Sequence, residues 1–218
     1  MQSKLSTITL CLGFFCIVVA CSPPRPEEPE IKFKSAAKIN VNPLKKLYRM
    51  GDTIWLDYSI PGKMLKNITT GQVMSTDSLS LQFQVSFNPI HAPNAQEPFC
   101  RYISEGTRNS YPILGQNGTG TYGAFGCDST NSSNFRIGII PAKRGIFGVF
   151  ISETLHGVYN CRTNPILPTA GVFYKFDAGN GNKDIYLNIP KGVLPDEVPK
   201  GTLARWIDEK RVIIIEVE

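Results

Sequence analysis

Leu79-Ser80-Leu81-Gln82-Phe83-Gln84-Val85-Ser86-Phe87 decides the fold. Every odd position is large and apolar; every even one is a serine or a glutamine. Side chains of a strand alternate between faces, so a period of two over this run predicts a strand with one face in a core and one toward solvent. A helix, with about 3.6 residues per turn, would scatter the same apolar residues around its circumference.

The pattern repeats outward from that run. In Thr53–Ile60, Ile54, Leu56, Tyr58 and Ile60 share one face, and Trp55, Asp57 and Ser59 the other. Val172–Phe176, Ile185–Ile189 and Arg211–Val217 are further strand candidates, with shorter ones at Phe99–Ser104 and Gly120–Phe125. The Arg211–Val217 run is so densely β-branched that it needs neighbours; an open edge of that kind would template aggregation. Phe135–Ile140 and Ile146–Ile151 flank Pro141-Ala142-Lys143-Arg144-Gly145 and read as an antiparallel hairpin. Breakers separate these runs at Pro61-Gly62, Asn88-Pro89, Asn117-Gly118, Gly179–Asn182 and Pro190–Gly192. Only Pro199–Glu209 suggests a helix, with Leu203, Trp206 and Ile207 on one face. The expected fold is all-β: an immunoglobulin-like antiparallel β-sandwich with one short C-terminal helical segment. Residues 88–134 form the irregular part, rich in Gly, Asn, Ser and Thr.

Composition agrees with one ordinary domain. The chain has 218 residues, 19 glycines, 16 prolines and a formal net charge of +5. These values exclude collagen, coiled coil, a polytopic membrane protein and a wholly disordered chain. The basic excess is too mild and too evenly spread to imply nucleic acid.

The amino terminus carries an address. Lys4 precedes an apolar run, Leu5–Ala20, which is shorter than the roughly 20 residues a membrane-spanning helix needs. Val18-Val19-Ala20-Cys21 resembles the lipobox of bacterial lipoproteins. That resemblance implies cleavage before Cys21 and a diacylglycerol on its thiol, hence attachment to the outer membrane through the lipid. Two acyl chains suffice for stable anchoring. The expected organisation is a signal peptide at 1–20, the lipidated cysteine with a Pro/Glu-rich tether at 21–35, and one sandwich domain at 36–218. Glu27, Glu28 and Glu30 resemble the acidic stretch of surface-exported lipoproteins of Bacteroidota, which implies display on the cell surface rather than toward the periplasm. Lys32, Lys34, Lys38, Lys45, Lys46 and Arg49 form a basic stretch beside the tether, a solvated edge strand or linker, or a contact for anionic head groups or acidic glycans. Tyr48–Trp55, with a Gly-Asp turn before Thr-Ile-Trp, is similar to small β-sandwich lipoproteins of Bacteroidota. Asp128-Ser129-Thr130 resembles the O-glycan acceptor triplet of such exported proteins and makes Ser129 the O-glycan candidate. Asp52-Thr53-Ile54 and Asp77-Ser78-Leu79 resemble the same triplet, but Ser129 lies in a polar loop whereas Thr53 falls in a strand.

Cys11 and Cys16 fall in the signal segment; Cys100, Cys127 and Cys161 remain in the domain. Outside the cytoplasm an odd count allows one bridge and one spare thiol. A hairpin centred on residue 143 would place Cys127 near Cys161, so that pair is the first disulfide candidate. Cys100–Cys127 is the second, and three reduced thiols the third. Their spacing is not that of zinc ligands, and no metal or cofactor is expected.

Motifs for chemistry are absent. His91 and His156 stand alone, and neither a nucleophile elbow nor a zinc-protease helix occurs. Asp57, Glu153 and Asp184 read as solvent-face carboxylates rather than a glycosidase pair. No catalytic residue is assigned. Trp55 stands out as an aromatic on the polar face of its strand, and is the ligand-binding candidate. The sequence points to a non-enzymatic binding or interaction module with a glycan or protein partner at the cell surface. A pilus or structural subunit and an envelope glycan-active enzyme are the alternatives.

Overall fold

A computed structural model describes residues 33–77, 79–92, 98–105, 108–115, 118–125, 134–160, 170–190 and 200–218; for 108–119, 122–125, 134–135, 153–160, 170 and 200 it describes the backbone alone. The chain divides into two units, Met1–Glu30 and Ile31–Glu218, and the fold below is that of the second.

Two sheets form the sandwich. The first runs β12 (Ala170–Phe176), β1 (Phe33–Asn42), β3 (Ile54–Ser59), β10 (Asn134–Pro141) and β7 (Cys100–Glu105). The second runs β2 (Leu47–Tyr48), β13 (Val212–Val217), β11 (Gly145–Asn160), β6 (Leu79–His91), β9 (Gly118–Phe125) and β8 (Arg108–Gly115). A small hairpin, β4 (Met64–Lys66) with β5 (Val73–Ser75), forms its own two-stranded sheet and is tied to β1 by a Ser35–Asn67 bridge.

The run that decides the fold lies where its pattern requires. Phe83, Val85 and Phe87 on β6 are fully buried, and the intervening polar residues are half-buried. From the opposite sheet, Tyr174 meets Phe83 edge-on at 6.3 Å and donates its hydroxyl to the Gln82 carbonyl at 3.2 Å. Phe147 stacks on Phe87 at 4.5 Å, and Phe99, at the foot of β7, leans on Phe147 at 5.9 Å. These rings join the two sheets.

The outer face of the second sheet is covered as well. Helices α1 (Lys183–Leu187) and α2 (Lys200–Asp208) bring Tyr186, Ile189, Leu203 and Ile207 over Ile90, Val212 and Ile214. Strand β13 is therefore buried on both faces, which explains its unbroken apolar run. Its outer edge is closed too. Ile214, Glu216 and Glu218 donate their backbone N–H groups to the carbonyls of Gly181, Lys46 and Tyr48. Asn182, at φ 58°, donates its side-chain amide to the carbonyls of Ile214 (2.9 Å) and Lys45 (3.0 Å).

Several expectations are corrected. Ile185–Ile189 is not a strand: Tyr186 and Ile189, three apart, are buried while Leu187 is exposed, which is helical spacing. Among the described residues there are therefore two short α-helices rather than one. β10 and β11 do not pair as a hairpin. β10 joins β3 and β7, β11 joins β13 and β6, and the Pro141–Gly145 segment crosses between the sheets. Gly145 permits the crossing. Its φ is +138°, and an added Cβ would lie 2.6 Å from the His91 carbonyl oxygen. The sandwich is not wholly antiparallel, since β1 runs parallel to β12 and β2 parallel to β13. β1 itself begins at Phe33, inside the stretch read as tether. Its buried side is Ser35, Ala37, Ile39 and Val41, and the small residues weaken its apolar alternation. β6 runs through Asn88-Pro89, because a register shift opposite Ile146 and Phe147 accommodates the proline.

Candidate binding surface

Strand alternation that buries Ile54, Leu56 and Tyr58 turns Trp55 and Asp57 outward. Three strands then set a row across the outer face of the first sheet. Asp57 lies opposite Arg136 on β10, and Arg136 opposite Glu105 on β7. Trp55 lies opposite Gly138, and Gly138 opposite Ile103. The Arg136 guanidinium sits over the Trp55 ring, 4.1 Å from its centroid. Its Nε is 3.1 Å from Asp57 Oδ1, and its Nη1 donates to Glu105 Oε2 at 3.4 Å. The Nε is shielded from solvent and its contact with Asp57 is an ion pair without hydrogen-bond alignment. Gly138 has no room for a side chain: an added Cβ would meet Ile103 Cγ1 at 2.6 Å and Thr53 Cγ2 at 2.9 Å. The patch is thus an apolar floor of Thr53, Trp55 and Ile103 with a clamped cation on top.

Trp55 is half-buried and remains on the polar face. Arg136 occupies its ring face, so a sugar could stack there only by displacing the guanidinium. The sequence missed Arg136 and Glu105, because partners on three strands become neighbours only through the register.

The remaining sites divide between described and undescribed residues. Cys21, Cys127, Cys161 and Ser129 lie outside the described residues. The hairpin register that paired Cys127 with Cys161 does not exist, so their juxtaposition has lost that support. Cys100 is a free, buried thiol, which removes the basis for pairing it with Cys127. Asp57 and Asp184 are each engaged in an ion pair, with Arg136 and Lys46 respectively. The Lys46 ammonium, 2.6 Å away, holds the Asp184 carboxyl below the usual carboxylate range. Thr53 is half-buried at the foot of β3. Asn67, the first residue of an Asn-x-Thr sequon, is 2% exposed and accepts backbone hydrogen bonds from Thr69 and Thr70.

Burial pushes the Cys100 thiol up to about 12, against a hydrogen bond with Tyr102 that pulls it down. Desolvation also raises Tyr48, Tyr58 and Tyr102 above the ordinary phenol value. Groups whose protonated form the fold favours stabilise it fully below their unfolded pKa and lose that contribution as pH rises. Stability should therefore fall from about pH 8.5, where an unfolded thiol ionises, and more steeply above about pH 10, where unfolded tyrosines follow. Urea midpoints between these values should decline for the native chain. Cys100→Ala should flatten the lower part of that decline and leave the upper part. An unchanged slope would mean that the thiol is not desolvated.

Among the described residues no cluster of His, Cys, Asp or Glu could hold a metal, and no helix is long and apolar enough to cross a membrane. No sequence family and no curated protein matches the chain. Among solved structures it is similar to a type II cohesin domain from the cellulosome of Acetivibrio cellulolyticus, at 10% identity and a TM-score of 0.33, covering 65% of this chain and 91% of that one.

Proposed function

We propose that the protein is a lipid-anchored cell-envelope component whose sandwich is a non-enzymatic interaction module, displayed on the cell surface, that engages a protein partner through the Trp55–Arg136 patch. The Trp55–Arg136 stack carries the reading. A guanidinium clamped by Asp57 and Glu105 over an indole contributes nothing to the core, yet holds two rotamer-rich side chains ready for contact. Tryptophan and arginine dominate the energetics of protein interfaces, and a contact organised in advance loses less entropy on binding. The anchor rests on Val18–Cys21 and on the proline-rich segment that follows. A protein surface is favoured over a glycan because the ring face is already covered by a cation.

Photocrosslinking from a probe at Asn42, beside Trp55 in the register, tests this in intact cells. One discrete adduct is expected. Trp55→Ala and Arg136→Ala should each remove it while thermal unfolding stays within a few degrees of the native chain. An adduct that survives both changes would place binding elsewhere. Strong destabilisation by Trp55→Ala would make the indole a structural residue.

A further inference from the structure

The lysines of this protein fall into two groups. Lys45, Lys46 and Lys183 are ion-paired with Asp52, Asp184 and Asp208. Lys34, Lys38, Lys63, Lys66, Lys143, Lys175 and Lys210 have no ion pair with any described residue.

Two of the second group, Lys34 and Lys66, meet at one corner. Ser35 and Asn67 bridge as antiparallel partners, both buried, and Ile68 donates its backbone N–H to the Lys34 carbonyl. That register continues the outer face of β1 into the β4–β5 hairpin. Leu65 enters the core, so Met64 and Lys66 face outward, with Val73 opposite Lys66. Lys175 on β12 lies opposite Lys38. Among these lysines stand exposed apolar residues: Ile68 at 61%, Val73 at 50% and Met64 at 46%. Apolar tips ringed by unpaired cations suit the interface of an anionic bilayer, where the tips enter the head-group layer and the ammonium groups meet lipid phosphates.

The corner is also where the chain leaves the folded unit toward Cys21. Residues 21–33, fully extended, reach no more than ~45 Å. We infer that the Lys34–Lys66–Ile68 corner docks on an anionic phospholipid surface and sets the domain upright. The Trp55 patch, at the far end of β1, then stands about 25 Å from the bilayer at ordinary strand rise. The inference rests on the proposed lipid anchor, and its test separates the two.

The full chain is reconstituted in phosphatidylglycerol-containing vesicles with brominated acyl chains, which quench nearby tryptophan. Flotation of the same samples reports the anchor independently. Ile68→Trp should lose most of its added emission. Asn42→Trp, at the end of β1 opposite to Lys34, should lose none, and neither should Trp55 and Trp206 of the native chain. An unquenched Trp at 68 in floating vesicles would overturn docking and leave the anchor standing. Equal quenching at 42 and 68 would mean that the sheet lies flat, and would overturn the upright geometry. Failure to float would remove the anchor itself, and the inference with it. Lys34→Glu with Lys66→Glu should release the Ile68→Trp quenching without loss of flotation; persistence would deny the lysines their role.

Discussion

Phe147→Ala lowers stability by about 3–5 kcal/mol, a fall in thermal midpoint of roughly 6–20 °C for a chain of this size. Phe147 is fully buried, stacked on Phe87 and touched by Phe99. Phe87 belongs to the second sheet and Phe99 to the first, so truncation opens a cavity where the sheets meet. Neighbouring strands are tied by backbone hydrogen bonds and cannot collapse into that space. Leu187→Ala is the matched control. Leu187 is 66% exposed, and its loss should change stability by no more than about 0.5 kcal/mol. Urea unfolding of both variants measures the difference. A cost below about 1 kcal/mol for Phe147→Ala would mean that the two sheets do not pack through this ring.

Asn182→Ala lowers stability by about 3 kcal/mol and makes the protein associate. Two effects add. The carbonyls of Ile214 and Lys45 lose the amide that serves both, and a buried unpartnered acceptor costs about 1–3 kcal/mol. Alanine also takes a left-handed φ of 58° at a cost of roughly 1–2 kcal/mol. Asn182→Gly separates them, because glycine keeps the backbone conformation and loses only the amide. It should recover about 1 kcal/mol. Loosening this cap frees the edge of β13, an apolar strand suited to pairing with another chain. Light scattering of Asn182→Ala should rise with concentration while that of Phe147→Ala stays flat below its own transition. Monodisperse Asn182→Ala of native stability would show that the β13 edge is protected by its backbone bonds to Gly181, Lys46 and Tyr48 without the amide.

The strands that could be read in the sequence have one wet face. β6 and β3 alternate cleanly because one side packs in the core and the other meets solvent. β13 was legible as a strand, yet its double burial followed only from the helices above it. β1 could equally be an edge strand or a linker on its sequence, because Ser35 and Ala37 carry little apolar signal and the lysines around them suit either. Ile185–Ile189 is too short for period to decide; its apolar residues suit either geometry, and the cover over Ile214 decides for helix. The Pro141–Gly145 segment has the residues of a hairpin turn. Which sheet receives each flanking strand depends on partners far away in sequence, at Phe87–His91 for one and Ile54–Ser59 for the other. Trp55 was legible because it breaks the polar face of its strand. Arg136 was not, since nothing local marks a cation destined for an indole on the neighbouring strand, two residues along in the register.

The central claim is a folded module held to a membrane by a lipid on Cys21. Partition of the chain between detergent and aqueous phases, native against Cys21→Ser, tests it most directly. The account predicts that the native protein enters the detergent phase and that Cys21→Ser, with the sandwich intact, leaves it for the aqueous phase. Cys21→Ser remaining in the detergent phase alongside the native chain would contradict the claim, since the attachment would then lie elsewhere in the chain.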